Sequence, residues 1–307
     1  MRPAFVRSLV ELARSDKRIF LLVGDVGYGL VEPFAQEFPD RFVNIGIAEQ
    51  NMVGVAAGLA LCGKTVFVYS LANFPTLRCL EQIRNDVCYH KANVKVVTSG
   101  GGLGYGALGA THHTTEDLAI MRALPNMTVI APGDPLESAL ATQALASTPG
   151  PAYLRLSKSG DPVVYQAVPV FEVGKAIRVR EGSDVALIAT GGILHNTVQA
   201  ARRLSEDGIQ CRVLSMHTLK PFDVESVLEA ARDIGILVTV EEHSIIGGLW
   251  SATSEALAGL RSPAVCQAIG LDDAFCTRIG SQSYLQKAYS LSVESICGVV
   301  KSLVRVR

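Results

Sequence analysis

A glutamate stands in the first turn of a predicted helix that is rich in alanine and glycine. In the segment 41–63, R-F-V-N-I-G-I-A-E-Q-N-M-V-G-V-A-A-G-L-A-L-C-G, an apolar strand ends at Gly46, the chain turns, and a helix begins with Glu49. Small or apolar residues on nearly every face are typical of a buried helix, and its glycines require a closely packed neighbour. We therefore expect a carboxylate at the mouth of a buried helix. The alternative is a solvated glutamate that the helix macrodipole favours.

A second candidate region is a glycine-rich loop that ends in two histidines. It reads S-G-G-G-L-G-Y-G-A-L-G-A-T-H-H-T-T-E-D from Ser99, with six glycines in its first eleven residues. Such a loop is neither helix nor strand, and it lets the backbone approach a ligand closely, although a flexible surface linker is the alternative. His112 and His113 are adjacent and therefore poor joint metal ligands, which favours proton transfer or hydrogen bonding.

A third candidate is Asp25, which follows the apolar run 19–23 in the loop G-D-V-G-Y-G. Ligands of open α/β sheets bind at the carboxyl ends of strands, so this position suits a ligand-binding carboxylate. The loop does not match G-x-G-x-x-G, which argues against a Rossmann-type nucleotide site there.

The composition indicates an α/β protein with buried parallel strands. The 307 residues are 49% hydrophobic, 19% charged and only 6% aromatic, and the net charge of -1 gives no electrostatic basis for binding nucleic acid or an anionic membrane. The seven cysteines show no ligand or disulfide spacing, which favours a reducing cytosol. We see no pattern of a signal peptide and no apolar run as long as a membrane span.

The hydrophobic pattern predicts two doubly wound, three-layer α/β domains. We assign residues 1–157 to the first domain, 158–175 to a linker punctuated by glycine and proline, and 176–307 to the second domain. The predicted helices include 77–89 in the first domain and 249–260 in the second. The T-G-G turn at 190–192 has no charged partner in sequence, so a tight turn is favoured there over a phosphate site.

Several motifs together resemble the transketolase family of thiamine diphosphate enzymes, specifically the C-terminal half of a transketolase chain. They keep the family's order over essentially the whole chain: G-I-A-E-Q-N-M at 46–52, E-Q-I-R at 81–84, G-A-T-H at 109–112, E-D-L-A-I-M-R-A-L-P-N-M-T-V-I at 116–130, K-P-F-D at 220–223 and V-E-E-H-S-I-I-G-G-L at 240–249. The resemblance implies a pyrimidine-binding domain followed by the transketolase C-terminal domain.

The resemblance also implies that one module belongs to another polypeptide. The family holds the diphosphate and Mg²⁺ with a G-D-G motif and a downstream Asn, whereas G-D is followed here by Val or Pro, in G-D-V at 24–26 and in G-D-P at 133–135 and 160–162. We therefore expect one subunit of a split enzyme, with diphosphate and metal held mainly by an N-terminal-half subunit in an α2β2 heterotetramer. We assign no metal ligand to this chain.

The family's site residues can be carried over by position. Glu49 matches the glutamate that binds the aminopyrimidine ring, and Phe74 stands where relatives place a ring-stacking Phe, with Tyr69 as the fallback. We add Asp25 to this cofactor-binding set. His112 matches the histidine that contacts substrate oxygens, while His113 stands where the family often has Gln.

Substrate recognition departs from the family's pattern. Arg2 matches a phosphate-binding arginine, but Lys158 replaces an arginine and lacks its bidentate fork; neighbouring Arg155 is either a further candidate or an exposed charge at a strand end. Ala107 and Leu108 replace an acidic pair whose aspartate binds a hydroxyl of the sugar donor. Since leucine accepts no hydrogen bond, we expect a specialised donor, such as a deoxy or modified sugar.

The resemblance predicts a cytoplasmic transferase of carbohydrate metabolism that moves a two-carbon ketol unit from a ketose, either a sugar phosphate or a modified sugar, to an aldehyde or keto acceptor. Three alternatives stay open: the β subunit of a 2-oxo acid dehydrogenase E1 or acetoin-type enzyme, a deoxyxylulose-phosphate-synthase-like enzyme, and a non-catalytic structural subunit.

Overall fold

Strands and helices alternate along most of the chain. The computed structural model describes residues 1–158, 160–259 and 264–305. Within them the strands are β1 (Ile19–Val23), β2 (Phe42–Asn44), β3 (Thr65–Leu71), β4 (Val94–Ser99), β5 (Thr128–Ile130), β6 (Ala152–Leu156), β7 (Ile177–Arg180), β8 (Val185–Thr190), β9 (Cys211–Ser215), β10 (Thr218–Lys220), β11 (Ile236–Ser244) and β12 (Val265–Leu271). The helices are α1 (Arg2–Ser15), α2 (Glu32–Glu37), α3 (Glu49–Leu61), α4 (Leu80–Gln82), α5 (Asp117–Ala123), α6 (Pro135–Ser147), α7 (Leu194–Glu206), α8 (Val224–Asp233), α9 (Leu249–Leu257), α10 (Gln282–Ala288) and α11 (Val293–Arg305).

The strands form two mainly parallel sheets. The first has the order β10-β5-β6-β4-β3-β1-β2 and the second β12-β11-β8-β9-β7. Only β10 and β7 run antiparallel to their neighbours, β5 and β9. The predicted fold class, two α/β domains with parallel sheets, is confirmed. The domain boundaries stay a prediction, and β10 shows that a strand from the second half of the chain completes the first sheet.

Helices cover both faces of the first sheet because its strands are apolar on both sides. On β3, Phe67 and Tyr69 pack in one apolar cluster with α1 and α6, whereas Val66 and Val68 pack in another with α3. The second cluster continues into the second sheet through β8 and α8, so the two domains share apolar packing. The far face of the second sheet is covered by α7 and α11.

Two sequence predictions about helices are wrong. The segment predicted as one helix over 77–89 consists of π-helical turns at Phe74–Arg78 and Ile83–Tyr89 on either side of α4, and the contact between Phe74 and Arg78 lies within the first of these turns. Helix α3 is not buried all round, because the sheet covers only one side of it. Besides the polar Gln50 and Asn51, four small or apolar residues of its outer face are exposed: Gly54, Val55, Gly58 and Leu61.

Two further observations concern the ends and length of helices. Helix α9 ends at Leu257, and the predicted end of that helix at residue 260 lies outside the described residues. Across the described ranges, no helix combines the length and apolarity needed to cross a membrane.

Candidate active site

Glu49 lies at the carboxyl ends of the central strands of the first sheet. Gly46, with φ of +75°, allows the reversal between β2 and α3, and Glu49 then opens the helix. Its side chain is only 2% exposed. A Cβ added to Gly24, just after β1, would meet Glu49 Cγ at 3.5 Å and Ser70 Oγ at 3.2 Å, so the carboxylate sits over the ends of β1 and β3.

Arg78 pairs with this carboxylate, a contact that the sequence motifs did not predict. Its Nη1 donates to Glu49 Oε2 at 2.7 Å, and the arginine side chain itself is 47% exposed. Among the described residues, Glu49 Oε1 accepts no hydrogen bond. One oxygen of the carboxylate is therefore oriented by an arginine while the other is free. The signal in the sequence was a basic residue four positions after Phe74, in F-P-T-L-R.

Phe74 and His112 continue the site away from Glu49. The Arg78 guanidinium carbon lies 4.8 Å from the centre of the Phe74 ring, within the range of a cation–π contact. The His112 ring meets Phe74 edge to face, with centroids 5.4 Å apart. The structure thus brings together a buried carboxylate, an arginine, an aromatic ring and a histidine in one continuous row.

Tyr69, the fallback for the ring platform, lies elsewhere. It is 1% exposed, and its ring stacks on Phe5 of α1 with centroids 6.0 Å apart. Burial raises the pKa of Tyr69, while Ser99 and Arg2 act in the opposite direction. Tyr69 is therefore part of the core beneath the site, and Phe74 is the partly exposed ring next to Arg78.

The two adjacent histidines face different surroundings. His112 is partly exposed, and its Nδ1 lies 3.0 Å from Thr111 Oγ1. His113 is 5% exposed and turns back into its own loop, with Nε2 3.5 Å from the carbonyl oxygen of Gly106. Burial lowers the pKa of His113. Of the two, only His112 contacts Phe74.

Asp25 lies at the end of β1 in a turn with φ of +53°. Its Oδ1 accepts hydrogen bonds from Asn44 Nδ2 at 2.9 Å and Tyr28 Oη at 2.8 Å. These two bonds, that from Asn44 first, lower the pKa of Asp25. The carboxylate is therefore engaged in holding its own loop.

Of the three basic residues assigned to substrate phosphate, two lie near aromatic rings and the third is buried in an ion pair. Arg2 begins α1 near Tyr69, and Lys158 Nζ lies 4.7 Å from the centre of the Tyr105 ring, whose hydroxyl is 3.1 Å from Ser99 Oγ. Arg155 is not an exposed charge at a strand end: it is 5% exposed and forms an ion pair with Asp117. Its guanidinium belongs to the protein interior.

The substituted positions of the glycine loop lie at its tip. Ala107 and Leu108 are both exposed, Leu108 by 52%, in a short helical turn over 106–108. Within the described ranges, no group of three or more His, Cys, Asp or Glu side chains is arranged to hold a metal ion.

Comparison with known proteins identifies the family. The transketolase pyrimidine binding domain matches residues 1–161, and the transketolase C-terminal domain matches residues 174–296. The chain belongs to the transketolase family. Glu49, Phe74 and His112 all lie in the pyrimidine binding domain.

Individual transketolase relatives match over nearly their whole length. One of the subunits of the apulose-4-phosphate transketolase from Phocaeicola vulgatus is 40% identical, covering 99% of this chain and 97% of that protein. The 6-deoxy-6-sulfo-D-fructose transketolase subunit SqwH from Clostridium sp. is 38% identical, covering 96% and 92%. A solved structure described as a split gene transketolase, inactive beta4 tetramer, superposes with a TM-score of 0.89 at 39% identity, covering 99% and 97%. This transketolase chain therefore corresponds to the C-terminal-half subunit of a split transketolase, a transferase of the transketolase type.

Proposed function

We propose that this chain, with a second polypeptide, forms a thiamine-diphosphate-dependent transketolase that moves a two-carbon ketol unit from a specialised ketose donor to an aldehyde acceptor. The observation that carries the proposal is the buried Glu49 carboxylate, which Arg78 holds by one oxygen beside the Phe74 ring. A non-catalytic subunit has no need of a buried carboxylate with a free oxygen next to a partly exposed aromatic ring.

The residues present fit the aminopyrimidine ring of the cofactor. Thiamine diphosphate, when bound, supplies a nucleophilic thiazolium carbon that accepts and releases the ketol unit. Glu49 would bind a ring nitrogen through its free oxygen and hold the proton exchanged there. Phe74 would stack on the ring, and Arg78 would keep the carboxylate oriented. His112, at the edge of Phe74, would donate to or accept from substrate oxygens.

The diphosphate and Mg²⁺ are assigned to the partner subunit. A diphosphate needs oxygen-ligated metal or a helix N-terminus with free amides, and the G-D-G motif that supplies these in the family does not occur in this chain. The exposed face of α3 supports a protein partner close to Glu49: a Cβ added to Gly54 or Gly58 would meet nothing within 4 Å. An α2β2 assembly would bury this face, and the seven free cysteines support a cytoplasmic location.

The donor is proposed to lack, or to carry in modified form, the hydroxyl that ordinary transketolases bind with an aspartate. Leu108 stands exposed at that position and offers no hydrogen-bond acceptor. Two relatives are named for unusual sugars, apulose 4-phosphate and 6-deoxy-6-sulfofructose, which supports a specialised donor. Lys158 in place of arginine supports altered recognition of the anionic end of the sugar.

Calorimetry tests the split site. Thiamine diphosphate with Mg²⁺ is titrated into this chain alone and into the chain co-expressed with a polypeptide that carries the family's G-D-G motif. Binding only in the mixture is expected, followed by a donor screen on that mixture. Tight binding to this chain alone would contradict the assignment of the diphosphate to the partner. Release of carbon dioxide from pyruvate would favour the 2-oxo acid dehydrogenase alternative.

A further inference from the structure

The glycine loop, residues 100–116, is a closed loop rather than an open linker. Gly102 and Thr114 exchange two backbone hydrogen bonds of 2.8 Å each, which close the loop at a neck. At its other end, the Thr111 carbonyl accepts a hydrogen bond from Asn73, and the His112 ring meets Phe74. Since the loop is closed at the neck, the position of its neck influences the position of His112.

The neck is held by the second domain. Glu242 of β11 accepts a hydrogen bond at Oε1 from the Leu103 amide at 2.6 Å. Arg155 Nη2 donates to the carbonyl oxygens of Thr114 at 2.8 Å and Glu242 at 3.1 Å. The amide of Ser244, two residues further along β11, donates to the Thr115 carbonyl at 2.8 Å. Both sides of the neck are therefore fixed to the same strand.

The glycines of the loop are explained by this contact. A Cβ at Gly102 would lie 2.5 Å from Glu242 Oε1, one at Gly101 would lie 2.6 Å from Arg155 Nε, and one at Gly106 would lie 2.5 Å from Leu285 Cδ1 of α10. These approaches are too close for any side chain. The space beside these three glycines is therefore filled by side chains of the protein itself, whereas the sequence had indicated a ligand there.

Glu242 is built in as a fixed acceptor. It is 4% exposed, and α10 donates to both oxygens: Gln282 Nε2 to Oε1 at 2.8 Å and Gln286 Nε2 to Oε2 at 2.5 Å. Burial raises the pKa of Glu242, and the bonds from Gln286, Leu103 and Gln282 act against that effect. A buried carboxylate with three donors is costly unless all of them stay in place, so it holds its partners in one geometry.

We propose that Glu242, oriented by Gln282 and Gln286, is a positioning residue that lets the second domain fix the glycine loop and thereby the placement of His112 at the active site. The inference rests on the proposed function only in that His112 contacts substrate. The second domain then has a defined role in catalysis without contributing a side chain to the reacting atoms.

Hydrogen exchange of the folded chain alone tests the anchor. In Glu242→Ala, exchange of the Leu103 amide and of peptides within 100–116 should accelerate about tenfold or more, as expected from loss of a hydrogen bond to a charged acceptor. Glu242→Gln should return exchange close to the wild-type rate, because the amide oxygen still accepts from Leu103 and Gln282, and Gln286 can reverse its amide to accept from the new NH₂ group. Replacing both Gln282 and Gln286 by Ala gives a milder variant, with a smaller acceleration at the same amides.

Glu241→Ala is the matched control. Glu241 is the neighbouring buried carboxylate on β11, but it caps α9 through the amides of Leu249 and Trp250 and makes no hydrogen bond to the loop. Equal acceleration of loop exchange in both alanine variants would mean a general loss of stability and would overturn the proposal. The proposal would also be overturned if the loop amides of Glu242→Ala exchanged at the wild-type rate. If Glu242→Ala does not fold, the same test applies to the variant in which Gln282 and Gln286 are both replaced by Ala.

Kinetics of the assembled enzyme supply a second readout. Glu242→Ala should lower kcat about tenfold or more and leave the affinity for thiamine diphosphate unchanged, with Glu242→Gln restoring most of kcat. Equal weakening of cofactor affinity would contradict a role confined to the loop. If the assembled wild-type enzyme had no transketolase activity, the proposed function would be contradicted but the anchoring role of Glu242 would not. The exchange measurement that tests this role needs neither cofactor nor partner.

Discussion

Two arginine–carboxylate pairs in this transketolase chain differ in their access to water. At the site, Arg78 is 47% exposed while its partner Glu49 is 2% exposed; at the loop neck, Arg155 and Asp117 are 5% and 1% exposed. The guanidinium of Arg78 is open to solvent, and the second oxygen of Glu49 accepts no hydrogen bond from the described residues. The second pair is enclosed, because Asp117 Oδ2 also accepts from Tyr153, Arg155 also binds two carbonyls, and Asp117 Oδ1 is buried with no hydrogen-bond partner among the described residues. The partly exposed pair of Arg78 and Glu49, called the half-open pair below, suits a catalytic role. The buried pair of Arg155 and Asp117, the closed pair, suits a structural role.

The largest expected effect is on activity at the half-open pair. Glu49→Gln keeps the shape of the side chain but removes its ability to hold a proton, so kcat of the assembled enzyme should fall by roughly 10²–10⁴. Glu81→Gln, an exposed carboxylate on α4, is the control and should retain wild-type kcat. A Glu49→Gln enzyme with more than about a tenth of the wild-type kcat would exclude the proton-holding role.

The closed pair should matter most for stability. Arg155→Met leaves the Asp117 carboxylate buried without its cation, so the free energy of unfolding should fall by about 3–5 kcal/mol. Arg14→Met breaks an exposed pair with Glu37, whose side chains are 58% and 37% exposed, and should cost less than about 1 kcal/mol. Denaturant unfolding measures both variants. Similar losses would mean that burial does not distinguish the two kinds of pair.

A smaller effect is expected on specificity at the loop tip. Leu108→Asp adds a charged acceptor where the family binds a donor hydroxyl, so kcat/KM for an ordinary ketose phosphate, relative to the native donor, should rise about tenfold. Stability should change little, since Leu108 is 52% exposed. Leu108→Asn, of similar size but uncharged, should give a lesser gain. An unchanged donor preference in both variants would remove Leu108 from donor recognition.

A pH dependence of stability is expected near the loop neck. Burial lowers the pKa of His243 from 6.5 to about 4, with Asp117 opposing. Between these two pKa values the unfolded chain binds a proton at His243 that the folded chain does not. The folded state therefore has its full stability above pH 6.5 and loses part of it as the pH falls toward 4.

The measurement is the difference in unfolding free energy between wild type and His243→Gln across this range. It should shrink by about 1 kcal/mol per pH unit as the pH falls below the ordinary histidine pKa. Burial raises the pKa of Glu241 to about 7, and its Oε2 lies 3.6 Å from His243 Nδ1, so the comparison is made in a Glu241→Gln background to isolate the histidine. The exposed His90→Gln is the control, and a difference that stays flat with pH for His243→Gln would contradict burial of a neutral ring.

Local patterns predicted much of the fold and part of the site. Runs such as 65–69 and 94–98 identified parallel strands because both faces of such strands are apolar. Glu49 was found at the start of α3 because a glycine turn and a helix onset are neighbours in sequence. Arg78 was missed because the predicted helix began only at residue 77, after Phe74, and because its partner Glu49 is 29 residues away.

The glycine loop marks the limit of such patterns. A glycine-rich pattern predicts that another group approaches the backbone closely, but it does not identify that group. At Gly101 the group is Arg155, and at Gly102 and Gly106 it belongs to the second domain. Likewise, the apolar composition of α3 predicted burial on all faces, whereas the sheet covers one face and leaves Gly54 and Leu61 exposed.

The sequence by itself determined the order of strands and helices, the α/β class and the position of the carboxylate at a helix start, because these depend on neighbouring residues. Only the tertiary structure decided that β10 completes the first sheet, that Arg155 is buried against Asp117, and that Glu242 holds the glycine loop. Each of these joins residues far apart in the chain, and hydrogen bonds across such separations depend on how the two sheets pack together.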